Sequence, residues 1–328
     1  MSVSRPAKFY ESELNKIEKK FGKLFETNKP DSLYEPCSYI MQSGGKRLRP
    51  LLVILSAKAM GAKTTSVYNA ALAVELLHNF TLVHDDIMDN ADKRRGRPTL
   101  HKKYDVNAAI LAGDNLLAMA YRYLLKDCKD NDKAVLNTFT TGVIEVCEGQ
   151  SLDKDFELRN KVTIDEYYEM IGKKTAALLK MCCSIGARLG GGSEQEIKAF
   201  EKYGENLGLA FQIQDDYLDV AGDEKKFGKK IGGDLREGKK TFMFIKAYEK
   251  AAGKDKQALN QFLSNKGIPE EMIAEFKQLY IKLGVIDEAR KEIERFTQTA
   301  LRQIRNLSGE ENREIFNWLA NSLIQRNK

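Results

Sequence analysis

The chain has 328 residues, of which 42% are hydrophobic and 30% charged, and its net charge is +6. That balance excludes a disordered chain and predicts a soluble globular protein with a large core. Lysines and arginines alternate with acids along the whole length, so no nucleic-acid stripe is expected as the source of the positive excess. Anionic small-molecule substrates remain open as an explanation. Five scattered cysteines without CxxC spacing suggest reduced thiols. No apolar leader opens the sequence, and no run approaches the ~18 apolar residues of a membrane span. A cytoplasmic protein with no transmembrane segment is expected.

No proline falls between Pro98 and Pro269, and apolar residues recur every three to four positions, as in "IDEYYEMIGKKTAALLKMCCSIGARL". Both features favour helix. Roughly a dozen helices are predicted, at about 5–28, 32–42, 46–60, 65–90, 105–127, 131–157, 163–189, 194–222, 239–251, 254–264, 269–281, 283–306 and 310–326. Ser32-x-x-Glu35, Thr163-x-x-Glu166 and Ser193-x-x-Glu196 read as capping boxes, and "GGG" at 190–192 reads as a helix stop. β-branched alternation is scarce and no Asn-Gly or Asp-Gly turn occurs, so no hairpin is expected. No linker divides the chain, which predicts one all-α domain over residues 1–328. The segments "ALAVELLHNFTLV" and "NLGLAFQIQ" are nearly apolar all round and belong at the centre of a bundle.

Each of those two segments ends in acids. "LVHDDIMDNADKRRGRP" carries Asp85, Asp86 and Asp89, and "FQIQDDYLD" carries Asp215, Asp216 and Asp219. Residues four apart share a helix face, so Asp85 and Asp89 point one way and Asp215 and Asp219 do likewise. Like charges at that spacing, close to a helix C-terminus, oppose stability twice over. A divalent cation removes both penalties, and Mg2+ takes a few carboxylates while substrate phosphates and water complete its shell. No EF-hand loop is present, which disfavours calcium. Basic residues accompany the acids: Lys46, Arg47 and Arg49 in "GGKRLRP", Arg94 and Arg95 after the first cluster, Lys174 and Thr175 in "GKKT", and Lys229, Lys230, Lys239 and Lys240 in "FGKKIGGDLREGKKT". Acids for metal beside bases for phosphate point to a metal–diphosphate site.

With these motifs in this order over about residues 40–245, the chain resembles the trans-isoprenyl diphosphate synthases, or polyprenyl synthetases. The resemblance implies an all-α, isoprenoid synthase-type bundle around a central cavity, a homodimer, and head-to-tail condensation of isopentenyl diphosphate with an allylic diphosphate (dimethylallyl, geranyl or farnesyl). It implies two aspartate clusters facing each other across the cavity mouth with three Mg2+ between them. Asp85 and Asp89 would bind two ions, supported by Asp86, and Asp215 the third, supported by Asp216 and Asp219. Arg94, Lys174, Lys230 and Lys239 would grip the allylic diphosphate. Lys46, Arg49, His78 and Arg95 would hold isopentenyl diphosphate. Thr175 and Gln212 would lie near the developing allylic cation.

Two departures qualify the likeness. Only two residues separate the acids of the first motif, unlike the four of many bacterial farnesyl synthases. The end "NSLIQRNK", with Arg326 and Lys328, lacks the strong basic tail of the eukaryotic farnesyl type. A class I terpene synthase is the rival reading, but its second metal site is not Asp-rich and it has no need of "GGKR". A regulatory subunit of a prenyl synthase is another, though such subunits usually lose one acidic cluster. Product length is expected to depend on Phe80 and Thr81, one turn or slightly more before Asp85. A geranylgeranyl or farnesyl product is expected, with geranylgeranyl favoured.

Overall fold

The computed structural model describes residues 4–128, 132–222 and 231–324. Its helices follow the predicted periodicity, in chain order α1 (Arg5–Gly22), α2 (Asp31–Met41), α3 (Leu48–Ala59), α4 (Tyr68–Met88), α5 (Leu100–Lys103), α6 (Val106–Asp127), α7 (Asp132–Leu158), α8 (Ile164–Ile171), α9 (Ala177–Leu189) and α10 (Glu194–Ala221). They continue as α11 (Gly233–Arg236), α12 (Phe242–Lys250), α13 (Gly253–Asn265), α14 (Ile273–Lys282), α15 (Val285–Ile304) and α16 (Glu310–Ile324). Contacts divide the chain into two compact units. The first is Met1–Thr140 with Cys182–Lys198 and Ser308–Ile315, and the second is Thr141–Met181 with Ala199–Leu307 and Phe316–Lys328.

In the first unit, α4 packs extensively against α6. The run from Ala70 to Asn79 on α4 is buried residue by residue, as expected of a helix that is nearly apolar all round. Asp127 joins the two helices by accepting from the Asn69 amide at 2.7 Å and from the Ala70 N–H at 2.8 Å. That bond satisfies a donor left orphaned at the start of α4. In the second unit, a core of aromatic residues includes Phe156, Tyr167, Phe242, Phe244, Phe262, Phe276 and Tyr280. Phe244 stacks on Phe262 at 4.5 Å, and Phe262 lies 5.7 Å from Phe276. Such pairs contribute about 0.5–1.5 kcal/mol each beyond their burial.

Four expectations are corrected. The Ser32–Glu35 capping box is absent, because α2 starts a residue early at Asp31, with Pro30 at the cap and no side-chain cap bond. The boxes at Thr163–Glu166 and Ser193–Glu196 are present. The helix predicted over 163–189 is interrupted by a π-helical turn over Gly172–Ala176. The helix predicted from 239 starts at Phe242, which leaves Lys239 in the loop after α11, its N–H bonded to the Asp234 carbonyl at 3.0 Å.

The fourth correction is a small hairpin where none was expected, β1 (Lys93–Arg94) paired antiparallel with β2 (Arg97–Pro98). Its two-residue turn is Arg95–Gly96, with φ of 53° and 76°. A type I′ turn needs positive φ at both centres, and here an arginine takes the place usually given to Asn or Asp.

Candidate functional site

In the first unit, α4 delivers the first aspartate cluster as it ends. Asp89 is the C-cap residue and its N–H bonds to the Asp85 carbonyl at 2.8 Å, so the two carboxylates lie one turn apart. Asp85 is half-buried and Asp89 exposed. Asp86 turns the other way and is buried. The hairpin places Arg94 on it as a fork, with Nε 2.8 Å from Oδ1 and 3.0 Å from Oδ2, and Nη2 2.7 Å from Oδ1. Asp86 therefore anchors Arg94.

Of the expected isopentenyl diphosphate residues, Arg49, His78 and Arg95 lie near one another in this unit. Arg49 lies 3.1 Å from His78 Nε2. Arg95, projected by the strained hairpin turn, bonds to the Gly44 carbonyl and to Ser43 Oγ, two residues from Lys46. Burial, then Arg49, Arg95, Arg94 and Arg47, hold His78 well below its ordinary range. The neutral ring accepts from Arg49 at Nε2, which puts its proton on Nδ1. Burial also lowers Arg95, with a further contribution from its arginine neighbours. A pocket of cations that depress one another is one that an anion stabilises.

A stability prediction follows from His78. Because its folded-state pKa lies below the unfolded value, the unfolded chain takes up the proton first, and stability is lost as pH falls below about 6.5. Denaturant titration should show His78→Gln losing less stability than the parent on acidification. The difference should approach about 1.4 kcal/mol per pH unit. Parallel pH curves would refute the neutral, buried assignment.

Arg47 behaves differently from its neighbours. It is buried, with Nε 2.7 Å from Glu18, Nη1 2.7 Å from Glu75 and Nη2 2.6 Å from the Met41 carbonyl. Its guanidinium also lies over the Phe21 ring at 4.8 Å. Sequence placed it among the phosphate-binding bases, whereas the fold uses it to hold α1, α2 and α4 together.

In the second unit, the π-helical turn presents Lys174 and Thr175. Such turns widen a helix locally and are frequent at functional sites. Two close approaches shape this one: a Cβ at Gly149 on α7 would sit 2.1 Å from Lys174 N, and one at Gly208 on α10 would sit 2.5 Å from Ala176 Cα. Only glycine admits backbone that near. Lys174 Nζ reaches Asp153 at 2.5 Å. Thr175 Oγ1 donates to Gln212 Oε1 at 2.8 Å, and Gln212 Nε2 donates to Asp216 Oδ1 at 3.0 Å. Asp216 is also bonded by the Tyr167 hydroxyl at 2.6 Å and the Phe242 N–H at 3.2 Å. Asp219 accepts from the N–H groups of Gly233 and Asp234 at 3.1 and 3.0 Å. Asp215 is half-buried on the same helix.

Burial raises Asp216 and Asp219, and burial followed by those two carboxylates raises Asp234 far more. Burial alone would lower Lys239, but Asp234, Glu237 and Asp153 outweigh it and hold the ammonium firmly charged. Its Nζ lies 2.8 Å from Glu237 and 3.8 Å from Asp234. A cavity of about 100 Å³ opens among these groups, lined by Asp153, Lys174, Gln212, Asp216, Asp234 and Lys239 together with apolar Phe156, Met170 and Ile171. Lys230 and its neighbour Lys229 lie outside the described residues, as do Arg326 and Lys328.

Three site residues were missed in the sequence. Asp234 stands inside "GKKIGGDLREGKKT", a stretch noted only for its lysines. Tyr167 precedes Lys174 by two turns, and nothing in the sequence pairs it with Asp216. Asp153 is one acid among several on α7.

The residue chemistry of each cluster fits magnesium: Asp85 and Asp89 in the first unit, and Asp215 in the second, carry hard carboxylate oxygens. Among the described residues no group of three or more His, Cys, Asp or Glu side chains is gathered to hold a metal ion. Mg2+ needs no such cage when one or two carboxylates and substrate phosphates complete its octahedron.

The polyprenyl synthetase family model matches residues 30–280. A short chain isoprenyl diphosphate synthase of Methanothermobacter thermautotrophicus is 40% identical over 299 residues, covering 90% of this chain and 91% of that protein. A geranylgeranyl diphosphate synthase of Methanosarcina mazei is 44% identical over 241 residues, covering 73% of this chain and 74% of that protein. The crystal structure of geranylgeranyl pyrophosphate synthetase from Pyrococcus horikoshii Ot3 superposes with a TM-score of 0.91 at 37% identity, covering 97% of each chain.

The fold is thus the all-helical isoprenoid synthase fold, and the chain belongs to the polyprenyl synthetase family. Its activity is that of a trans-prenyltransferase.

Proposed function

We propose that the chain, acting as one polyprenyl synthetase domain, condenses isopentenyl diphosphate with an allylic diphosphate to give geranylgeranyl diphosphate, with farnesyl diphosphate as the shorter alternative. The observation that carries this reading is that each unit sets an aspartate cluster at the end of a buried helix beside a pocket of bases. Asp85, Asp89 and Asp215 are the proposed Mg2+ ligands, three ions in all. When bound, Mg2+ supplies Lewis-acid withdrawal of charge from the leaving diphosphate.

The chain's own residues supply binding and direction. Lys46, Arg49, His78 and Arg95 hold isopentenyl diphosphate, and the neutral His78 fixes the Arg49 fork. Arg94, anchored on Asp86, holds the allylic diphosphate with Lys174 and Lys239, which exchange their carboxylate partners for phosphate oxygens; Lys230 is proposed with them from its motif alone. Thr175 and Gln212 face the carbon that develops positive charge. The apolar lining excludes water from that cation, so the work is mainly positioning and electrostatics. Exposed Val106, Ile110 and Leu111 on α6 support a homodimer. Among the described residues no helix is long and apolar enough to cross a membrane, and all five cysteines are free thiols. We place the protein in the cytoplasm.

The purified chain should consume isopentenyl diphosphate without a second protein. Failure to consume it would favour a terpene synthase or a regulatory subunit. Arg49→Ala should raise KM for isopentenyl diphosphate about tenfold or more while sparing the allylic KM. Lys174→Ala should do the reverse, and the opposite partition would overturn the pocket assignments.

Product length gives a separate test. Phe80 is half-buried, its ring 4.6 Å from that of His84, and Thr81 Oγ1 donates to the His78 carbonyl at 2.8 Å. Both lie about 6–7 Å before Asp85 along the helix at ~1.5 Å per residue. Phe80→Ala should lengthen the product by at least one isoprene unit, and Thr81→Phe should shorten it. An unchanged product profile from Phe80→Ala would place the floor on another element.

A further inference from the structure

We propose that Tyr167 is a positioning residue that sets the polarity of the Thr175 hydroxyl. This rests on the reading of Thr175 as a group facing the developing allylic cation. Asp216 accepts hydrogen bonds at both carboxylate oxygens, at Oδ2 from the Tyr167 hydroxyl and the Phe242 N–H and at Oδ1 from Gln212. The Gln212 atom at 3.0 Å from Asp216 Oδ1 must therefore be the amide nitrogen, which turns Gln212 Oε1 toward Thr175. A threonine hydroxyl has one proton, and Thr175 gives it to that oxygen at 2.8 Å. On the reading that Thr175 faces the allylic cation, only its lone pairs are then turned away from Gln212, the polarity that a carbocation needs.

The network holds only if Asp216 cannot rotate. Two donors on Oδ2 prevent rotation: the Tyr167 hydroxyl at 2.6 Å and the Phe242 N–H at 3.2 Å. The shorter bond comes from a residue 1% exposed, whose ring lies 6.2 Å from that of Phe242 and 5.8 Å from that of Tyr168. Tyr167 lines the cavity, and its hydroxyl is spent on Asp216, through which it bears on Gln212 and Thr175. Without its hydroxyl, Asp216 keeps one donor on Oδ2 and can turn about its terminal torsion. The Gln212 amide then loses its fixed partner and can flip. A flipped amide presents N–H to Thr175, whose proton would swing toward the cavity and repel the cation.

Tyr167→Phe removes the hydroxyl and keeps the ring. Turnover should fall about ten- to a hundredfold, the scale of a small misplacement at a reacting centre. KM for isopentenyl diphosphate and the melting temperature should change little. Thr175→Val should fall by a similar factor, and the double variant should be no more than about twofold worse than the poorer single variant.

Normal turnover in Tyr167→Phe, with Thr175→Val impaired, would overturn this inference and leave the site reading standing. Multiplying effects in the double variant would likewise exclude action through Thr175. A normal Thr175→Val would remove the underlying assignment of Thr175 itself, and the inference with it. A loss in Tyr167→Phe explained by a lower folded fraction would overturn it in favour of a packing role.

Discussion

Asp85→Ala and Asp215→Ala should each lower turnover by about a hundredfold or more at limiting Mg2+, the scale of losing one preorganised electrostatic partner at a reacting group. Folded stability should hold or rise slightly. Asp85 lies one turn from Asp89 at the C-terminal end of α4, and Asp215 lies one turn from Asp219 on α10. Each substitution removes a ligand together with a like-charge repulsion of a few tenths of a kcal/mol. Steady-state kinetics across an Mg2+ titration, with denaturation curves alongside, separate the two effects. Near-normal turnover in either variant at limiting Mg2+ would discard the metal assignment for that cluster.

Arg47→Met should cost about 3–5 kcal/mol of stability, the range for removing one partner of a buried ion pair. The Glu75 carboxylate, 2.7 Å away and nearly inaccessible, would be left buried and uncompensated. Glu18 and the Met41 carbonyl would lose donors as well. Arg49→Ala, two residues away, should instead leave the melting transition nearly intact while raising KM. If urea unfolding shows Arg47→Met as stable as the parent, Arg47 is not the strut between α1, α2 and α4 that its contacts describe.

The contrast between Arg47 and Arg49 illustrates what sequence could and could not decide. Composition and spacing alike predict that both are bases in "GGKRLRP". The difference arises from the backbone at Arg47, which takes φ 46° just before α3 begins and turns the side chain back among α1, α2 and α4. No local pattern encodes that turn, because its reason is two glutamates 28 and 29 residues away. The hairpin at Lys93–Pro98 was hidden for a similar reason. Its turn uses Arg95 where Asn or Asp is the usual signal, and the arginine is supported by contacts with Ser43 and Gly44.

What the sequence determined by itself is the helical class, the burial of α4, and the matched acids near the ends of α4 and α10. Those features rest on periods of three to four residues and on charges next to one another in the chain. Their physics is local, so a one-dimensional reading captures it. Tertiary structure alone decided the π-helical turn at Gly172–Ala176, admitted by Gly149 and Gly208 on two other helices. It alone also decided that Asp86 anchors Arg94, and that Asp216 is held by Tyr167, 49 residues away, and by the Phe242 N–H. A carboxylate's role depends on which donors surround it, and those donors converge only when distant helices pack.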